Sequence, residues 1–159
     1  KTGKASTIGM ASGVVAALVA ITPAAGFVGS MHSLVFGAFA GVICFYAIEA
    51  KFRLGFDDSL DVVGIHLVGG VVGGVLLGFM ADSSAVPGGD FIDGVFFGGG
   101  VLLWNQILSI VVVAAFSFVA TFVIAKVLDK VIGLRVSEST EMAGLDVSDH
   151  GEAAYVIDG

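Results

Sequence analysis

The chain has 159 residues, of which 57% are hydrophobic and only 13% are charged, and 24 of them are glycine. Soluble domains are typically about half apolar and about a quarter charged, so this composition excludes an ordinary soluble domain and indicates a membrane protein. The net charge of −7 does not indicate an acidic soluble protein, because many of the acidic residues lie after the last apolar run, between Glu138 and Asp158. The sequence contains no basic cluster of the kind that binds nucleic acid, so we predict no nucleic-acid partner.

Four apolar runs are candidates to cross a bilayer, which requires ~20 helical residues. They cover residues 8–22, 29–50, 60–81 and 101–132, and the first is the shortest. The fourth would be about 45 Å long at ~1.5 Å per residue, so it must tilt or protrude beyond the ~30 Å hydrocarbon layer. We predict an all-α integral membrane protein with four transmembrane helices within residues 1–136.

The basic residues indicate the direction of these crossings. If the start of the chain is cytoplasmic, four crossings place every Lys and Arg on that side: Lys1, Lys4, Lys51, Arg53, Lys126, Lys130 and Arg135. The two outer loops, residues 23–28 and 82–100, then contain no Lys or Arg. Because basic residues favour the cytoplasmic side, we predict that both ends are cytoplasmic and that residues 137–159 form a cytoplasmic tail.

The third run contains a histidine that we expect deep in the membrane. Residues 57–78 read DDSLDVVGIHLVGGVVGGVLLG, and Asp57, Asp58 and Ser59 supply capping oxygens for a helix start. His66 then lies about 10–12 Å from the cap at ~1.5 Å per residue, well inside the hydrocarbon region. An ionisable residue at this depth is a candidate functional site.

His66 shares a helix face with residues that have small side chains. Val62, Gly70, Gly74 and Gly78 are separated from it by steps of four and form one drifting stripe. This stripe is consistent with the wall of a narrow lumen that carries one polar group. The other interpretation is a neutral histidine hydrogen-bonded to a neighbouring helix, with the glycines serving close helix packing.

Asp61 also allows two interpretations. As an acid in the first turn it would stabilise the helix start, and it could instead attract cations at the inner mouth of a pore. It lies about 140° around the helix from His66, so the two side chains cannot form a pair on one face.

The remaining histidines and the single cysteine give weaker signals. His32 lies near the outer end of the second run, where an interfacial side chain is ordinary. His150 follows Asp146 and Asp149, and acidic tails form such clusters without binding metal. Cys44 is the only cysteine, so no internal disulfide is possible. We predict no metal and no cofactor.

Three segments, taken in chain order, are distinctive. They are GMASGVVAALVAITPAAGFVG (residues 9–29), AIEAKFRLGFDDSLDVVGIHLVGG (residues 47–70) and GLRVSESTEMAGLDVSDHGEAAY (residues 133–155). In this order they resemble consecutive landmarks of the Amt/Mep/Rh ammonium transporter family, nearest the Amt branch. The resemblance covers the entire chain, and its third segment is the most specific. The chain has Val63 where an aromatic residue is common in the family and Leu67 where glycine is frequent.

The resemblance implies an eleven-helix fold assembled as a homotrimer, with one pore per subunit. The first ten helices form two inverted repeats of five, and this chain would supply helices eight to eleven and the tail. His66 matches the second histidine of the family's twin-histidine pair in the pore. Asp61 and Val62 match the acid and the lumen-facing aliphatic residue one turn towards the cytoplasm.

The resemblance further implies ammonium transport across the plasma membrane rather than an enzymatic reaction. Ammonium would be deprotonated at the outer mouth, and ammonia, with or without a relayed proton, would pass through an apolar pore lined by His66. The outer cation site, the phenylalanine gate and the first histidine belong to family segments outside this chain. An ammonium sensor of the same fold, signalling through its tail, is the alternative. A different transporter in which His66 binds substrate is disfavoured by the tail motif.

The composition of the tail and its family resemblance lead to two different interpretations. Composition alone indicates a disordered acidic segment at residues 137–159. The resemblance implies a regulatory tail that packs under the membrane helices, touches the neighbouring subunit and couples the three pores. Ser148 matches a position where plant members carry a phosphorylatable threonine, and PII-type signalling proteins are implied partners at the cytoplasmic face. The core motif of the tail is matched by Gly144, Leu145, Asp146, His150, Gly151 and Tyr155.

Overall fold

The computed structural model describes residues 6–152, and this part of the chain is helical, without a β-strand. Its α-helices are α1 (Thr7–Ile21), α2 (Ser30–Leu54), α3 (Val68–Met80), α4 (Val101–Val131), α5 (Glu138–Ala143) and α6 (Leu145–Ser148). One π-helical turn, Val63–Leu67, precedes α3, and 3-10 turns lie at Thr22–Ala24, Ser83–Ala85 and Val95–Phe97. The predicted all-α class is therefore confirmed.

Four helical stretches have the length and apolar composition needed to cross a membrane. They are Thr7–Ala24, Ser30–Leu54, Val63–Met80 and Val101–Val131, with mean hydropathies of 1.8, 1.8, 2.0 and 2.8. Each stretch falls on one of the four predicted apolar runs, so the four-span architecture is confirmed.

Two boundaries differ from the predicted ones. Helix α2 extends to Leu54, so Lys51 and Arg53 lie in its last turn. Gly55 ends this helix with a φ of 70° and donates its N–H to the Lys51 carbonyl at 2.8 Å. The third stretch begins after Asp61, whose φ of 57° places its backbone in the left-handed region and outside the helix.

The chain divides into two compact units, Lys1–Val113 and Ala114–Gly159. The division falls within α4, and so it does not test the predicted boundary at residue 136 between membrane helices and tail. In the second unit, Ser137 caps α5 by accepting the Thr140 N–H at 3.2 Å.

The first unit is held together by close approach of α1, α2 and α3. Its most buried apolar residues are Ala16, Ala20, Ala24, Phe36, Ala40, Cys44, Ile65 and Ala81. Gly73 of α3 lies against the backbone of α1, where an added Cβ would stand 3.0 Å from the Cα of Ala20. A Cβ at Gly69 would lie 3.2 Å from Val19 of α1 and 3.5 Å from the Cys44 sulfur of α2. Small residues therefore allow the backbones to approach, as expected for helices packed in lipid.

The loop between α3 and α4 is ordered by hydrogen bonds. Asp82 donates its backbone N–H to the Phe27 carbonyl at 3.0 Å, which ties this loop to the one between α1 and α2. Its carboxylate accepts the hydroxyl of Ser84 at 2.6 Å and the N–H groups of Ser84 and Ala85 at 3.0 and 3.3 Å. The hydrogen bond from the Ser84 hydroxyl is the main cause that lowers the pKa of Asp82 below its ordinary value.

Candidate functional site

His66 lies in the π-helical turn Val63–Leu67 at the start of the third membrane-length stretch. The N–H of Val68 is bonded to the carbonyls of Val63 and Ile65, so the wide turn joins directly to α3. A π-turn accommodates one extra residue in a helix and shifts the faces on either side of it, and such turns are frequent at functional sites. The prediction of a regular α-helix is therefore wrong at His66, where the turn is π-helical, although the segment remains helical throughout.

The π-turn separates a packed side from an open side. Gly64 and Ile65 are buried, and a Cβ on Gly64 would lie 2.8 Å from Ile48 of α2. His66 is exposed, as are Val62 and Leu67, at 49% and 54% of their surfaces. The imidazole therefore faces away from the core formed by α1 and α2.

The imidazole of His66 has no hydrogen-bond partner within residues 6–152. The first part of α4 and helices α1 and α2 therefore do not supply the hydrogen-bond partner that a packed histidine would have. A neutral imidazole retains one donor and one acceptor, and both are available on this open face.

The predicted glycine stripe is split between two environments. A Cβ on Gly70 would meet no heavy atom within 4 Å, whereas one on Gly74 would lie 2.8 Å from Ile110 and one on Gly78 2.7 Å from the Leu103 Cα. Steps of four residues drift by about 40° each on an α-helix, so the later glycines turn towards α4. The expectation that all three glycines share a lumen face with His66 is wrong for Gly74 and Gly78, which pack against α4.

Asp58 is the residue that caps the third stretch. Its carboxylate accepts the N–H of Val62 at 2.8 Å and that of Val63 at 2.9 Å. Asp57 instead accepts a hydrogen bond from the Ser59 hydroxyl at 3.2 Å. Of the three predicted capping residues, only Asp58 meets the helix end.

Asp61 does not lie in a helical turn, and the expectation that it acts there as a first-turn acid is wrong. Its φ of 57° is the only positive value at a non-glycine residue within the described chain. Its carboxylate forms an ion pair with Lys51 in the last turn of α2. Lys51 could not be assigned this role from the sequence, where its positive charge indicates only the side of the membrane.

His32 lies in the first turn of α2, near the loop that contains Asp82. Its ring packs edge-on against Phe97, with 5.4 Å between the ring centroids. Its Nδ1 is buried and has no hydrogen-bond partner in the described part of the chain. His32 therefore lies near the loops that join α1 to α2 and α3 to α4, apart from the turn that carries His66.

An apolar cavity of about 490 Å³ lies elsewhere in the first unit. Neither His66 nor Val62 belongs to its lining. The lining residues are Pro23, Phe27, Leu77, Phe91, Ile92, Leu102 and Gln106. Within residues 6–152, no three His, Cys, Asp or Glu side chains are grouped so that they could hold a metal ion.

The described tail residues form two short helices whose side chains are mostly exposed. Gly144 and Gly151 have positive φ values of 91° and 63°, so both positions favour glycine. The hydroxyl of Ser148 donates to the Gly144 carbonyl at 2.8 Å across α6. Leu145, Asp146 and His150 are exposed here as well, and Tyr155 lies outside the described residues.

The sequence profile of the Ammonium Transporter Family matches residues 1–155, nearly the whole chain. The chain belongs to this family. The ammonium transporter of Mycobacterium tuberculosis is 46% identical over 157 residues, which cover 96% of this chain and 33% of the relative. The ammonium transporter of Bacillus subtilis is 42% identical over 153 residues, covering 96% of this chain and 37% of the relative. The chain thus spans about a third of the length of these ammonium transporters.

Solved structures of Mep2 proteins are similar in fold to this chain. A mutant of Mep2 from Candida albicans matches with a TM-score of 0.79 and 35% identity, over 86% of this chain and 31% of that one. Mep2 from Saccharomyces cerevisiae matches with a TM-score of 0.79 and 31% identity, over 87% of this chain and 32% of that one. The four-span fold is therefore that of a portion of an ammonium transporter.

Proposed function

We propose that the full-length protein transports ammonium across the plasma membrane and that His66 lies in its conduction path. Membership of a transporter family supports this substrate and a role that is not enzymatic. The observation that carries the role of His66 is its position in a π-turn of a membrane-length stretch, on the face that α1 and α2 leave open. The open position at Gly70, one turn further along, supports a lumen on this face.

The chemistry available at this face suits a small polar molecule. A neutral imidazole can donate one hydrogen bond to ammonia and accept one from it. Val62 and Leu67 flank His66 with apolar side chains, which cannot replace the hydration shell of Na⁺ or K⁺. Ammonium loses its proton at the outer mouth, and ammonia passes His66 with or without a relayed proton. Asp61 contributes to the inner end of the path by holding the helix start.

The arrangement in the membrane is part of the same proposal. The absence of Lys and Arg from the two outer loops supports cytoplasmic ends and a cytoplasmic tail at residues 137–159. Family resemblance supports a homotrimer surrounded by lipid, with a PII-type signalling protein as a partner at the cytoplasmic face.

Currents on a solid-supported membrane test the transport function directly. The full-length protein in proteoliposomes is expected to give a saturable current on ammonium pulses and none on K⁺ pulses. Parallel stopped-flow measurements of internal pH detect electroneutral passage of ammonia. Folded protein that shows neither signal, yet still binds ammonium, would contradict transport and favour the ammonium sensor.

The tail is proposed to regulate the pores through Ser148 and its neighbours Gly144, Asp146 and His150. A phosphate on Ser148 would add negative charge beside Asp146 and would break the hydroxyl bond to the Gly144 carbonyl. Ser148→Asp in the full-length protein is therefore expected to change the maximal ammonium flux. Ser148→Ala is the control, because it removes the hydroxyl without adding charge. Equal fluxes in wild type and Ser148→Asp proteoliposomes would refute this role.

A further inference from the structure

Lys51 connects the end of α2 to the segment that precedes the His66 turn. Its ammonium group donates to the Asp58 carbonyl at 2.6 Å and also pairs with the Asp61 carboxylate. The side chains of Lys51 and Asp61 are only 12% and 26% exposed. A flexible lysine held by two acceptors in a partly buried place differs from an ordinary surface ion pair, which contributes little.

The two residues that Lys51 holds control the first turn of the third stretch. The Asp58 carboxylate accepts the N–H groups of Val62 and Val63, and the Asp61 carbonyl accepts the N–H of Ile65 at 2.8 Å. Both acceptors of Lys51 therefore bond in turn to backbone groups in the four residues before His66. A change in either one would alter where this helix begins and how it is rotated.

The backbone of Asp61 supports the same conclusion. Its φ of 57° is disfavoured for residues with a Cβ, although Asp tolerates this region better than most. Such a conformation persists where the surroundings determine it, and these residues cluster at functional sites. The ion pair with Lys51 is the interaction that holds the Asp61 side chain in the described structure.

We propose that Lys51 is a positioning residue for the conduction path: by fixing Asp58 and Asp61 it sets the start and rotation of the π-turn that carries His66. This inference rests on the proposed transport function. Lys51 reaches the path through the helix start and does not itself touch the transported molecule.

The test compares Lys51→Met, Lys51→Arg and Arg53→Met in the full-length protein in proteoliposomes. Arg53 is the matched control, because it lies in the same last turn of α2 and is exposed. Lys51→Met is expected to lower the maximal ammonium current by about ten- to a hundredfold, since a misplacement of a functional group by about 1 Å can cost about a hundredfold in rate. The half-saturating ammonium concentration should change little, because recruitment takes place at the outer mouth. Lys51→Arg should restore most of the current.

Hydrogen–deuterium exchange provides a readout that does not depend on transport. The N–H groups of residues 62–67 should exchange faster in Lys51→Met than in wild type or Arg53→Met. If wild type conducts nothing, the transport proposal fails, while the exchange rates still decide whether Lys51 holds the turn. Wild-type exchange and wild-type current in Lys51→Met would overturn the inference.

Two variants at Asp61 keep the test decisive if Lys51→Met does not fold. Asp61→Ala and Asp61→Gly both remove the ion pair, but only glycine adopts a positive φ without a steric penalty. If the ion pair serves to hold this backbone, Asp61→Gly should retain more current than Asp61→Ala. Equal, wild-type currents in both variants would contradict the role assigned to the pair.

Discussion

Gly73→Ala is expected to destabilise the full-length protein more than any other single alanine substitution at the glycines of α3. A Cβ at this position would collide with the Ala20 carbonyl, and it would stand 2.9 Å from the Ala20 carbonyl carbon. The obstacle is backbone of α1, which no rotamer change can move aside, and Ala20 is fully buried. Overpacking of a core costs about 1–3 kcal/mol, and we expect the upper end of that range here.

Thermal unfolding of the detergent-solubilised protein, followed by size-exclusion chromatography, measures this effect. Gly70→Ala in the same helix is the matched control, because its Cβ would meet no heavy atom within 4 Å. The control should unfold at or above the wild-type temperature, since alanine is the better helix former by about 1 kcal/mol. Equal unfolding temperatures for the two variants would show that α1 and α3 do not approach as described.

Gly70→Leu is expected to leave the protein folded and to block conduction. The position is open within the described chain and lies four residues beyond His66, about one helical turn further along. A leucine there would extend into the space assigned to the lumen. Each tenfold loss of flux corresponds to about 1.4 kcal/mol of added barrier, and a bulky side chain in a narrow path should cause at least about a tenfold loss.

The ammonium current of Gly70→Leu should be compared with that of Gly41→Leu. Gly41 lies in α2, and a Cβ there would also meet no heavy atom within 4 Å. The two variants add the same side chain at positions that are equally open, so only their relation to His66 differs. A normal current through folded Gly70→Leu protein would place the lumen on another face.

The four membrane-length stretches were predictable because hydropathy is a local property of the chain. The helix boundaries near Lys51 and Asp61 were less predictable. Charged residues in the last turn of α2 lower the local hydropathy without ending the helix, which continues to Leu54. The left-handed backbone at Asp61 accompanies an ion pair with a lysine ten positions earlier, on another helix. Helical periodicity contains no information about that contact.

Part of the candidate site could also be predicted. An ionisable residue within an apolar run marks His66 as a candidate, and capping chemistry marks Asp58. Equal spacing suggested that Gly70, Gly74 and Gly78 share one environment, but the contacts of α4 decide which of them are packed. The position of the neighbouring helix decides which glycines line an open face and which pack against α4. The local sequence pattern does not contain that position.

The central claim is that His66 lies in the conduction path, and its most direct test is the ammonium-evoked current of His66→Ala in the full-length protein. Proteoliposomes with equal amounts of folded wild type, His66→Ala and Arg53→Met receive the same ammonium and K⁺ pulses on a solid-supported membrane. We predict that the His66→Ala current vanishes or loses its selectivity for ammonium over K⁺, while Arg53→Met behaves as wild type. A His66→Ala current of unchanged size and selectivity would contradict the claim and place His66 outside the conduction path.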